Sequence, residues 1–224
     1  MRRCRQRGLK VGLRFTLTCD NSTELPAILS LLDDEGIDRF YLSHLNHAGR
    51  GRRCEDPLRS ITRRVVEGLF AEALRLAQNG SPRDVVTGNN DADGVCLLLW
   101  IRQRFPQHAE RIETSLRRWG GNASGIAVAN IDATGTVHPD TMWGHHRLGT
   151  VGEQPFSRIW RDSSDPLLAG LRQRPRPVQG RCGACRYLDL CNGNARVRAW
   201  RAFADPWAED PGCYLTDAEI GCSL

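Results

Sequence analysis

Lysine is almost missing from this chain. Lys10 is the only one, and the other thirty of its 31 basic residues are arginines. The formal net charge is +5, but so lopsided a ratio beside abundant Ala and Gly reflects GC-rich codon usage more than a surface built for a polyanion. No basic run is interleaved with aromatics, which make up only 7% of the chain, so nucleic acid is not an expected partner. No stretch approaches the roughly 18–20 apolar residues of a membrane span. The opening MRRCRQRGLKVGLRF is cationic with no apolar run behind it, so no secretory signal is read there and a cytoplasmic location is expected. A phosphate-cradling glycine loop, G-x-S-x-G and H-E-x-x-H are also missing, which removes the usual nucleotide, serine-hydrolase and zinc-protease signatures.

What is present suffices for a folded protein. Its 224 residues, 40% of them apolar, can form one large domain or two modest ones, each with a core. Nine cysteines in a reducing compartment point to metal or cofactor chemistry rather than disulfides. VGLRFTLT (11–18) alternates as a strand, NSTELPAILSLLDDEG (21–36) reads as a helix with an Asn or Ser cap and a glycine stop, and IDRFYLSHL (37–45) is a second strand. Strand, helix, strand with short connections is a parallel βαβ unit, hence an α/β fold. NHAGRGRR follows the second strand, where such folds place ligand groups. Helices are expected over 62–80, 94–106 and 108–121. SGIAVANIDATGTVHPD then reads as a hairpin turning at Asp-Ala-Thr-Gly. Beyond it periodicity fades, so a boundary is drawn between an α/β part (1–121) and an irregular cysteine-rich part (122–224).

GRCGACRYLDLCNG (180–193) holds three cysteines in ten residues. Cys182, Cys185 and Cys191 give C-x2-C-x5-C, and Cys213 follows after 21 residues. Two thiolates two residues apart can grip one metal centre, and the small Gly183 and Ala184 suit the turn between them. Four thiolates fit an iron–sulfur cubane or structural zinc, and three clustered cysteines with a distant fourth suit the cubane better. Free thiols are the remaining possibility. Cys4, Cys19, Cys54, Cys96 and Cys222 lack ligand spacing and read as buried or surface thiols. NNDADG imitates half a calcium loop but has Trp100 at the twelfth position, where a glutamate is needed, and is read instead as a polar loop capping the next helix. HPDTMWGHH offers His145 and His146, and RQRPRPVQGR offers Arg172, Arg174 and Arg176 beside the cysteines. These could bind substrate carboxylates or lie solvated on the surface.

Taken in order, DATGTVHPD, LGTV…FSRIW and the C-x2-C-x5-C knuckle resemble the SPASM-type auxiliary-cluster domain that follows the barrel in many radical SAM enzymes. GLRFTLTCDN and FYLSHLNHAGRG resemble late strands of the radical SAM partial (β/α) barrel. VTGNNDADGV, GGNASG, CRYLDLCNGNARVRAW and DPWAEDPGCYLTDAEIG are most similar to the NirJ family of heme d1 biosynthesis, a likeness running from about Gly8 to Gly221. The resemblance implies one auxiliary [4Fe–4S] cluster on Cys182, Cys185, Cys191 and Cys213. It also implies a tetrapyrrole substrate, 12,18-didecarboxysiroheme, that loses propionate side chains, with Arg50 near the S-adenosylmethionine or substrate site. Asp140 stands where a cysteine for a second auxiliary cluster often does. The C-x3-C-x2-C loop that would hold the S-adenosylmethionine-binding [4Fe–4S] cluster is not among these residues. The chain is therefore expected to be the C-terminal part of such an enzyme, inactive alone, needing an N-terminal half or an electron-donor protein. Two further readings stay open, a related enzyme removing siroheme acetate groups in the alternative heme route, and a zinc-ribbon interaction module.

Overall fold

A computed structural model describes residues 1–46, 51, 53–56, 58–162 and 164–222. It is a mixed α/β structure whose chain divides into two compact units. The first comprises Met1–Leu45, Arg53–Ala109 and Gly212–Leu215, and the second Asn46–Arg52, Glu110–Pro211 and Thr216–Leu224.

The first unit begins with a short helix α1 (Arg2–Arg5) and is built on a parallel sheet in the order β1-β2-β3. β1 (Gly12–Thr16) pairs with β2 (Arg39–Ser43) from Gly12↔Arg39 to Thr16↔Ser43, and β2 pairs with β3 (Asp84–Gly88) from Arg39↔Asp84 to Ser43↔Gly88. Phe40 and Leu42, two residues apart on β2, are fully buried, as period-two alternation requires. The expected βαβ unit is present, with α2 (Leu25–Asp34) as its crossover. Its start differs from the expected Asn or Ser cap. Asn21 instead closes the turn before it, accepting from the Thr18 N–H at 2.8 Å and donating to the Thr16 carbonyl at 2.9 Å. The helix begins after Glu24 with proline in its first turn, where the missing N–H costs nothing.

α3 (Arg59–Gln78) buries Thr62, Val65, Val66, Leu69 and Leu76, the spacing of one helical face. α4 (Ala92–Arg104) buries Val95, Cys96, Leu98 and Trp100. At about 2 kcal/mol per fully buried aliphatic side chain, these residues with Leu17, Leu32 and Phe40 form the first unit's core. Strand β3 was not legible in the sequence, because its apolar run is only Val85 and Val86, between Pro82 and the Gly88-Asn89-Asn90 turn residues.

The second unit opens with α5 (Ala109–Trp119). The expected hairpin forms from β4 (Asn130–Ile131) and β5 (Thr136–His138), and β6 (Gly149–Thr150) adds a third antiparallel strand. Asp132 pins the turn, its Oδ1 accepting from the Thr134 N–H at 2.8 Å, the Thr136 N–H at 3.0 Å and the Thr134 hydroxyl at 2.7 Å. Those bonds, led by the Thr134 hydroxyl, hold its carboxyl well below the usual carboxylate range. Short helices follow: α6 (Phe156–Arg161), α7 (Pro166–Arg172), α8 (Gly180–Gly183), α9 (Leu188–Cys191), α10 (Arg196–Phe203) and α11 (Asp217–Ile220). Trp143, Leu167, Leu171 and Val197 form a small apolar cluster, flanked by Met142, Trp200 and Trp207. No described helix is long and apolar enough to cross a membrane.

Candidate functional site

In the first unit, polar side chains collect just past the C-terminal ends of β2 and β3. The Ser43 hydroxyl accepts from Arg14 Nη2 at 2.7 Å and from Asn89 Nδ2 at 2.9 Å. Next to it lies a buried network that the sequence reading did not single out. His44 Nε2 meets Asp93 Oδ2 at 2.9 Å, and the Tyr214 hydroxyl donates to Asp93 Oδ1 at 2.7 Å. The His44 and Tyr214 rings stack at 6.2 Å. Burial, then the charge of Asp93, raises the Tyr214 hydroxyl well above its ordinary value, and burial pushes the Cys96 thiol up to about 12. NNDADG does cap α4, through Asn90 Oδ1, which accepts from the Ala92 N–H at 3.2 Å. Arg50 lies outside the described residues.

The second unit carries the cysteine knuckle. Cys182 lies in α8, Cys185 in the turn after it, and Cys191 ends α9. Gly183 belongs at the middle of the knuckle, because a Cβ there would stand 2.6 Å from the Val178 carbonyl oxygen. Two backbone N–H groups already point at sulfur, Asp210 at 3.3 Å from Cys182 Sγ and Tyr187 at 3.4 Å from Cys185 Sγ. Burial raises both thiols above their ordinary value. Arg196 opposes the rise at Cys182, while neighbouring Cys182 and Cys222 add to it at Cys185. Cys222, set aside on spacing, is brought against α8 from 41 positions along the chain, its thiol 3.8 Å from the Arg181 carbonyl, a proximity no local pattern announces. Cys213 is half-buried in the segment Gly212–Leu215 of the first unit. Among the described residues no three His, Cys, Asp or Glu side chains stand gathered to hold a metal ion.

The arginines expected to meet substrate carboxylates are placed differently from one another. Arg176 is 2% exposed. Its Nε donates to the Leu171 carbonyl, Nη1 to Asn122 Oδ1 and the Asn192 and Asn194 carbonyls, and Nη2 to the Asn122 and Ser124 carbonyls, all at 2.9–3.3 Å. Its expected place on a ligand-facing surface is therefore corrected, since every guanidinium nitrogen is engaged by the protein. Arg172 Nε donates to the Gly125 carbonyl at 2.9 Å, Nη2 donates to the Trp160 carbonyl, and the group lies over the Trp160 ring. Arg174 is exposed, with Nη1 on the Gly120 carbonyl at 2.8 Å. His146 Nε2 pairs with Asp165 Oδ2 at 2.8 Å, and His145 stacks on Trp200 at 3.9 Å between ring centres.

Arg196 and Arg198 are each 1% exposed, and the sequence reading named neither. Arg198 forms a two-pronged pair with Asp210, Nε to Oδ1 at 2.9 Å and Nη2 to Oδ2 at 2.7 Å. Arg196 Nη1 donates to the Pro206 and Ala208 carbonyls at 3.2 and 2.6 Å, while its Nε and Nη2 have no partner among the described residues.

The chain is 53% identical, over 99% of its length, to pre-heme d1 synthase of Dinoroseobacter shibae, of which it covers 55%. It is 41% identical, over 97% of its length, to Fe-coproporphyrin III synthase of Methanosarcina barkeri, of which it covers 56%. The chain thus spans about half the length of the curated relatives it matches. Its fold is similar to part of SuiB from Streptococcus suis (TM-score 0.64, 17% identity, 96% of this chain and 48% of that one). It is likewise similar to part of anSMEcpe with bound AdoMet and a peptide (TM-score 0.64, 14% identity, 94% of this chain and 54% of that one). No family model matches.

Proposed function

We propose that this chain forms the auxiliary-cluster part of a radical SAM enzyme acting on an iron tetrapyrrole, in the reaction that removes propionate side chains from 12,18-didecarboxysiroheme. The observation that carries this reading is the 53% identity to a pre-heme d1 synthase along 99% of the chain. The cysteine spacing agrees with it. Cys182, Cys185 and Cys191, with Cys213 as the fourth thiolate on spacing alone, would hold a [4Fe–4S] cluster. The donor set is all thiolate, as such clusters require, and the unpartnered Nε and Nη2 of buried Arg196 suit an anionic group beside Cys182. When bound, the cluster would carry single electrons.

This chain's residues then divide the work. The Asp210 and Tyr187 amides orient the knuckle's sulfurs, and Gly183 keeps its backbone close to Val178. Exposed Arg174 offers the rest of its guanidinium fork to a carboxylate, and His145 extends a ring surface from Trp200. Arg172 and His146 support these from the fold, through Trp160 and Asp165. No C-x3-C-x2-C spacing occurs in the 224 residues, so the radical-generating step is assigned to none of them.

A second reading rests on the 41% identity to an Fe-coproporphyrin III synthase, and would make siroheme acetate groups the target. Both readings share the cluster. Anaerobic purification with iron, sulfide and zinc analysis, plus EPR of the dithionite-reduced protein, tests it. About four irons and four sulfides per chain are expected, lost in Cys185→Ala. One zinc and no sulfide would overturn the cluster and leave a zinc-binding interaction module.

A further inference from the structure

Among the described residues of the second unit, Arg176, Arg196 and Arg198 are almost wholly buried, and two of them are fully accounted for. Arg176 meets six oxygens and Arg198 meets a carboxylate. Arg196 differs. Among the described residues only Nη1 has acceptors, and Nε and Nη2 are buried without one. A buried cation with unpaired donors is strongly unfavourable unless an anion or acceptor completes it. Its position adds to the penalty, because Arg196 is the first residue of α10 and a helix N-terminus disfavours positive charge.

The surroundings indicate where the missing acceptor belongs. The chain around 206–210 takes Nη1 on the Pro206 and Ala208 carbonyls, and two residues later gives the Asp210 N–H to Cys182 Sγ. Gly193, at φ +72°, lies against both Val178 and Arg196: a Cβ there would crowd Val178 Cγ1 at 2.9 Å and stand in ordinary contact with Arg196 Nε at 3.5 Å. The bound nitrogen of Arg196 is thus tied to the same stretch of chain that touches Cys182, while Nε and Nη2 meet no acceptor among the described residues.

We infer that Arg196 is a potential-setting residue of the cysteine site, its Nε and Nη2 donating to sulfur of the cluster held through Cys182. This rests on the cluster proposed above. Each reduction adds negative charge to the sulfurs, so a fixed cation with two N–H groups on them stabilises the reduced state more than the oxidised one.

The test is an EPR-monitored redox titration of the reconstituted chain beside Arg196→Lys and Arg196→Gln, with iron and sulfide counted in each. Near-UV circular dichroism checks that the variants fold. Lysine keeps the charge and can reach the Ala208 carbonyl but cannot also present two donors to sulfur, and glutamine loses the charge altogether. The midpoint should fall in the order wild type, Lys, Gln, with the Gln variant at least about tenfold harder to reduce, about 59 mV for one electron. A folded variant that no longer holds iron also supports the inference. Equal potentials at full iron content would overturn it while leaving the cluster in place, and a lowered unfolding midpoint with no change of potential would make Arg196 a packing residue. A wild-type chain that takes up neither iron nor sulfide would overturn the cluster and this inference together.

Discussion

The two units are filled by different kinds of side chain. In the first, the largest fully buried residues are Phe40, Leu17, Leu32, Ile37, Leu42, Leu69 and Leu98. In the second, they are Trp143, Leu168 and three arginines. The difference follows from the backbone. Parallel strands and long helices satisfy their own N–H and C=O groups, so the space between them can be apolar. The second unit is mostly short helices and turns, whose carbonyls have no ladder to join. Arginine, with five N–H donors on a rigid fork, can serve several of them at once. Arg176 thereby ties the carbonyls of Asn122, Ser124, Leu171, Asn192 and Asn194, segments that no strand joins.

The hardest break in that comparison is Arg176→Met. It should destabilise the second unit by on the order of 4 kcal/mol, since buried carbonyls lose their donors together. Urea unfolding followed by hydrogen exchange of each unit reads it, and a loss under about 1 kcal/mol would mean the guanidinium is dispensable packing. Leu42→Ala is the counterpart in the first unit, expected to cost about 3 kcal/mol through transfer and cavity terms. Its effect should concentrate on amides of β1, β2 and β3, whereas even loss across both units would show that they do not unfold separately.

A smaller effect sharpens the comparison through pH. The Cys96 thiol is raised by burial from 9.0 to about 12. Its folded value lies above its unfolded one, so its contribution is complete below pH 9 and is lost as pH rises from 9 towards 12. The loss is about 1.4 kcal/mol per pH unit. Cys96→Ala should therefore lose about that much less stability than wild type between pH 10 and pH 11. Parallel pH profiles for the two would show the thiol to be titrating as an exposed one.

The βαβ unit was legible because β1, β2 and the crossover carry clean periodicities, and the hairpin because Asp-Ala-Thr-Gly permits little else. β3 and β6 were not, being five and two residues long, with pairing set by partners distant in sequence. The cysteine knuckle is local and was read from spacing. Arg196 and the approach of Cys222 to α8 were out of reach, since neither has a neighbour in sequence that hints at it. RQRPRP misled in one respect. It promised a surface of guanidiniums, but Arg176 turns inward, where its nitrogens meet the carbonyls of Leu171, Asn122, Ser124, Asn192 and Asn194.

The first unit also has an unusual relation to the order in which it is made. Its main body ends at Ala109, yet it includes Gly212–Leu215. From that segment Gly212 accepts the Asn90 amide at 2.9 Å, and Tyr214 completes Asp93. Roughly a hundred residues separate the two, about 5 to 20 seconds of synthesis at the usual rate. Until Tyr214 emerges, Asp93 and His44 have a pocket with one wall unbuilt. The first unit is therefore begun before most of the second and finished after it, and the nascent chain must hold that half-closed core while residues 110–211 are made.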